Sequence, residues 1–226
     1  MALRSRQTVV MLPMRVWDLP VRLFHWLIVV LIPLSYLSIK GGFPDVHKAI
    51  GFTMIALLLF RVAWGLFGSD TARFARFLRS PGAAFHHLGA ITKREPDTVT
   101  GHNAAGGWMV ALMLLLLLLQ AFSGLFARNR HNVEGPLAKY LDDAAVQAVS
   151  FVHAANFKVI FAAAVLHVAV IGVYLFVKKQ NLIRPMLTGK KRLPAATRAP
   201  RMASPLLALL FLILAAAIAA ALATQF

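Results

Sequence analysis

Residues Pro205–Ala223 run for nineteen positions without one charged or hydrogen-bonding side chain. A helix of that length spans about 29 Å at 1.5 Å per residue, close to the ~30 Å hydrocarbon layer of a bilayer. Four more apolar stretches of similar length precede it, at 20–39, 47–67, 104–126 and 151–177. Hydrophobic residues make up 59% of the 226 and charged residues 14%, against roughly 45–50% and 25% in soluble domains. A chain this small has too little interior to hide that much apolar sequence, so lipid must solvate it. The expected fold class is an all-α integral membrane protein: a four-helix transmembrane bundle plus one additional C-terminal transmembrane helix. The longest connection, 68–102, is only a loop. Residues 1–191 are therefore expected to form the bundle domain, and 192–226 a basic linker with the fifth helix. The first span starts too far from the N-terminus, and is too poorly followed by small residues, to read as a signal peptide.

Lys and Arg total 24 against 8 Asp and Glu, a formal charge of +16. Such a balance can mark a nucleic-acid binder, but here the cations lie between apolar runs and are unevenly shared. Sixteen fall in the connections on one side, 1–19, 68–101 and 178–204, and four on the other, where Glu134, Asp142 and Asp143 dilute them. The positive-inside rule then predicts a multi-pass membrane protein with a cytoplasmic N-terminus and a C-terminus on the outer side. Residues 71–88 place Phe74, Phe77 and Leu78 among arginines and read as a helix lying on the inner leaflet, bound to membrane lipid. Residues 137–149 read as a similar outer surface segment. No cysteine is present. That excludes disulfides, thiolate catalysis, Cys-ligated iron–sulfur clusters and covalently tethered haem.

Ionisable residues at membrane depth are expensive and usually functional. His25 lies in the first span and His47 opens the second. His153 and His167 share the fourth. Fourteen residues turn a helix by about 1,400°, within about 40° of four full turns, so His153 and His167 face one way about 21 Å apart. With the predicted topology, His25 pairs with His167 near the inner surface and His47 with His153 near the outer. Two cross-helix imidazole pairs at two depths suit two stacked haem groups, bis-His ligated and without a vacant coordination position. Arg61 falls near the inner pair's level, where a haem propionate is its expected partner. Lys48 and Lys158 are assigned, more weakly, to the outer haem. His86, His87 and His131 read as exposed loop residues, and Gln120 as an interhelical hydrogen-bonding residue. His102, in Gly101-His102-Asn103, stands at the start of the third span, as a helix cap, a surface residue or a neighbour of quinone.

Several of these residues sit in recognisable runs. They are Val16-Trp17-Asp18-Leu19-Pro20-Val21-Arg22-Leu23-Phe24-His25-Trp26, His47-Lys48, Phe60-Arg61-Val62-Ala63-Trp64-Gly65, Gly101-His102-Asn103, and Asn181-Leu182-Ile183-Arg184-Pro185-Met186-Leu187-Thr188-Gly189-Lys190. Over about 15–191 the chain resembles the di-haem b-type cytochrome subunits of nickel–iron hydrogenases and formate dehydrogenases, within the bacterial cytochrome b-561-like superfamily. The resemblance implies four haem-binding helices, ligation by His25/His167 and His47/His153, and electron transfer between the quinone pool and a periplasmic redox partner. That partner is expected to be a hydrogenase-like enzyme subunit or a c-type cytochrome. Quinone is placed near the cytoplasmic haem with Asn103 as a contact. The chain departs from the simplest pattern in its fifth helix and short outer loops. Two other classes remain open at this stage: a self-sufficient quinone-linked superoxide oxidase, and a haem-free transporter or assembly protein.

Overall fold

A computed structural model describes residues 10–91, 93, 98–129 and 133–225. Arg4, Arg6, Arg94, Arg130 and His131 lie outside the described residues. Five helices are long and apolar enough to cross a membrane: α1 (Leu19–Lys40), α2 (Pro44–Phe67), α5 (Ala104–Phe126), α6 (Asp143–Phe176) and α8 (Pro205–Ala223). Their starts are written locally. Asp18, Asn103, Asp142 and Ser204 each accept a backbone N–H of the following first turn, and Pro20 and Pro205 occupy first-turn positions where no donor is needed. α1 and α2 form a tight antiparallel hairpin across Gly41-Gly42, with Gly42 at φ 80°, a conformation open mainly to glycine.

α2 is the most buried span and the organising one, packing against α1, α5 and α8. Ile28, Leu57, Leu58, Leu114, Leu117 and Ile160 form the core between α1, α2, α5 and α6. Outward faces remain apolar, with Leu115, Phe161 and Val168 more than half exposed, as expected where lipid tails replace water. α6 packs closely on α5, while towards α1 and α2 it is bridged mainly by side chains: His25 to His167, His47 to His153, and Tyr36 stacked on Phe157 at 4.8 Å.

Several expectations change here. Residues 71–88 are not one surface helix but two short ones, α3 (Phe74–Phe77) and α4 (Pro81–Gly89), because Pro81 lacks the N–H that a continuous helix needs. Phe77 is buried and Phe74 lies against Arg61, so both anchor the segment to protein rather than lipid. Residues 137–149 become a 3₁₀ turn at Ala138–Tyr140 followed by the first turns of α6, which begins at Asp143 and is about 51 Å long. β1 (Met11–Arg15) pairs antiparallel with β2 (Lys190–Pro194), Arg15 opposite Lys190. Ala208 and Ala215 of α8 share a core with Val16, Trp17, Phe60, Trp64 and Leu193, so the fifth helix and the bundle are packed as one body.

The conspicuous sequence runs prove to be contacts of one another. Val16 and Trp17 donate backbone N–H bonds to Gly189 O at 2.8 and 3.1 Å. Arg22 donates to the Met186 and Leu187 carbonyls at the end of α7 (Ile183–Thr188), and Trp26 Nε1 donates to Met186 O. Trp64 Nε1 donates to Asp18 Oδ2 at 2.9 Å while Asp18 Oδ1 caps α1. Asp18→Ala removes the cap and orphans a buried indole donor, an expected loss of about 2–4 kcal/mol. Thermal unfolding of the detergent-solubilised chain checks it; Asp18→Asn keeps one acceptor oxygen for the cap but turns an NH2 donor towards the indole N–H, so it should recover only part of the loss.

Candidate functional site

The four membrane histidines meet in two pairs. His25 (α1) and His167 (α6) have ring centroids 6.5 Å apart, and His47 (α2) and His153 (α6) 6.4 Å apart. A metal–imidazole bond is about 2 Å and a ring nitrogen lies about 1.2 Å from its centroid, so two rings ligating one ion from opposite sides stand about 6.4 Å apart. Both pairs match that spacing. On α6 they belong to one seam, His153, Ile160, His167 and Tyr174, repeating every seven residues.

Second partners set the outer pair. His47 Nδ1 lies 2.9 Å from Ser35 O, and His153 Nδ1 lies 3.0 Å from Gln120 O and 3.1 Å from Ser123 Oγ. A carbonyl can only accept, so each Nδ1 carries the proton and each Nε2 is the unprotonated nitrogen, the arrangement typical of metal-binding histidines. Gln120 Nε2 donates to His153 Nε2 and to His153 O, each at 3.1 Å, and Gln120 Oε1 accepts from Asn156 Nδ2. Gln120 is thus the interhelical residue expected, and it guards the nitrogen that a metal would take. Gly124 is required beside it: a Cβ there would lie 2.9 Å from His153 Cε1. Gly51, one turn past His47, faces open space. Polar residues within apolar spans are the signal that could have found Ser35, Ser123 and Asn156; nothing local marks Gly124.

At the inner end His25 Nδ1 and Arg61 Nη1 are buried without a hydrogen-bond partner among the described residues. Arg61 is 3% exposed, packed over the Phe74 ring, and does not snorkel to the surface. The buried Asp18 carboxylate acts on it, but no ion pair within 4 Å forms among the described residues, which leaves this guanidinium suited to a closer anion. His102 stands between Trp17 and Phe77, ring centroids 4.6 and 4.8 Å away. Burial pushes its pKa down to about 3, with Arg61, His167 and His25 adding in the same direction, so the ring is neutral. Asn103 caps α5 through Oδ1 to Gly106 N at 2.7 Å, and its Nδ2 donates to Tyr174 OH at 2.8 Å. Tyr174 OH is 2.6 Å from His87 Nε2. His87 is therefore not an exposed loop residue but part of α4, half-buried and bonded to the seam; His86 beside it is exposed.

The lysines fare differently. Lys48 neighbours His47 and is half-buried. Lys158 is exposed, and five residues place it about 140° around α6 from His153; the structure does not bring it to the outer pair. Among the described residues no three His, Asp or Glu gather as a metal cluster. Pairs of imidazoles alone suit an ion whose other four ligands come from a macrocycle.

The sequence profile of the prokaryotic cytochrome b561 family matches residues 16–189, well over half the chain. The match ends before α8. No curated protein and no solved structure matches. Five membrane-length helices and the family profile together make this a multi-pass membrane cytochrome b, a haem b protein of electron transfer, and the chain belongs to the prokaryotic cytochrome b561 family.

Proposed function

We propose that His25/His167 and His47/His153 each hold one haem b, and that the chain passes electrons through the membrane between quinone at its basic end and a redox partner at the other. The observation that carries this reading is the pair of ring spacings, 6.5 and 6.4 Å, at two depths along one α6 seam. Held by two imidazoles, each haem would supply one-electron transfer and would offer no position for oxygen or substrate. The chain's own residues supply the rest. Ser35 and Gln120 carbonyls fix the outer imidazoles, and Arg61 is placed to neutralise an inner propionate. Apolar span faces keep water from both sites. The uneven cation distribution supports the basic end as cytoplasmic, in a bacterial inner membrane, with the other redox partner periplasmic. A pyridine haemochrome assay tests the reading directly, expecting two haems per chain, released by acidified organic solvent because no cysteine tethers them.

Asn103 is the proposed quinone contact, at the inner haem's level. Its side chain already caps α5 and bonds Tyr174, so a variant must separate these roles. Asn103→Asp keeps the capping oxygen and removes the amide donor; Asn103→Leu removes both. If the amide binds a quinone carbonyl, both variants slow haem reduction by quinol about tenfold or more at unchanged haem content. If it only caps, Asn103→Asp reduces at the wild-type rate and Asn103→Leu is merely less stable. Stopped-flow quinol oxidation with a parallel melting curve distinguishes the two.

A further inference from the structure

The segment after β2 does more than lead to α8. It folds back over the α2–α3 turn and is clasped there. Asp70 N donates to Arg201 O and Arg201 N to Asp70 Oδ2, each at 3.0 Å, and Ala203 N donates to Ser69 Oγ at 2.9 Å. This encloses a half-open cavity of about 370 Å³ at the basic end of the bundle. Four arginines line it, Arg76, Arg79, Arg198 and Arg201, against one carboxylate, Asp70. Asp70 is already engaged by Arg73, by the Arg201 backbone and, at 3.8 Å, by Arg76, and so leaves most of this positive charge uncompensated. The cavity lining includes His102, whose Nδ1 is buried and has no hydrogen-bond partner among the described residues. Two of the backbones that carry these arginines are held: Trp108 Nε1 donates to Arg79 O at 3.0 Å, and Arg201 is fixed by the clasp. Neither Arg79 nor Arg198 has an acidic partner among the described residues.

We infer that this cavity binds a phosphate group, carried by an anionic lipid headgroup or free in solution. Guanidinium forks match phosphate oxygens, and a phosphate has more oxygens than a carboxylate to share among several arginines. Basic pockets at the cytoplasmic ends of membrane helices are where anionic headgroups reach protein. Arg198 and Arg201 lie beyond the part of the chain that matches the family, so the site is built jointly by the bundle and the chain's own C-terminal extension. It does not depend on haem ligation.

The test uses the full-length chain in a non-ionic detergent. Binding of short-chain phosphatidylglycerol and of inorganic phosphate is measured by calorimetry, with phosphatidylcholine and chloride as references. Arg79→Gln/Arg198→Gln removes two exposed guanidiniums from the cavity. Arg184→Gln/Arg192→Gln removes two from the separate basic surface around α7 and β2. At least one phosphate probe should bind the wild type saturably, at least tenfold more weakly the first double variant, and unchanged the second. Binding of phosphatidylglycerol alone assigns a lipid headgroup; binding of inorganic phosphate assigns the ion itself. Failure of both probes on the wild type, or equal weakening in both double variants, overturns the site. Visible spectra unchanged in both variants confirm that the bundle is intact.

Discussion

His47→Ala or His153→Ala should each leave one haem per chain, the inner one, and His25→Ala or His167→Ala should each leave the outer one. In every case one imidazole of a pair is lost from a site whose partner ring is already at ligating distance, 6.4 or 6.5 Å between centroids. A single remaining ligand holds a porphyrin weakly and leaves iron an open position. Optical redox titration of the four variants should therefore sort them into two classes of two, each class missing the same spectral component. If His25→Ala and His153→Ala removed the same component, the cross-helix pairing would be wrong. If all four kept two haems, the histidines would be structural. The two members of a class lie on different helices, so sequence proximity alone would not produce this grouping.

Gly124→Val is the second large effect, and it touches no ligand directly. The first added carbon would stand 2.9 Å from His153 Cε1, a separation that side chains do not tolerate. The obstacle is the end of a side chain and not backbone, so the ring can yield by turning away. In doing so it gives up Ser123 Oγ and the Gln120 carbonyl. The expected result is loss of the outer haem as complete as in His153→Ala, with a modest fall in melting temperature. Gly51→Leu provides the complementary test. That position faces open space, so a side chain costs the bare fold little; exclusion of the outer haem would show that the space belongs to the macrocycle. Haem content near two in Gly124→Val would mean that the ring relaxes without losing its ligating direction.

Local composition encodes the spans, their ends and the spacing of residues within them. Span length follows from how many consecutive residues lipid will accept, and the ends of α5 and α8 coincide with the expected 104–126 and 205–223. Helical periodicity put His153 and His167 on one face, and the cation count between spans chose which histidines share a depth. The pairs His25/His167 and His47/His153 were legible for that reason. Tertiary structure decided everything that depends on distant residues meeting. The β1–β2 pair carries no clear alternation and forms because α1 and α7 bring residues 11–15 and 190–194 together. Phe74 and Phe77 turn inward because Gly65 and Gly107 leave them room against α2 and α5. Asn103 and His87 converge on Tyr174 from separate elements, and Lys158 turns away from a site that its sequence position only adjoined. The arginine cavity shows the same physics: its charges were countable from the chain, but their enclosure required residues 69–79 and 198–203 to be clasped together, and that is a property of the fold alone.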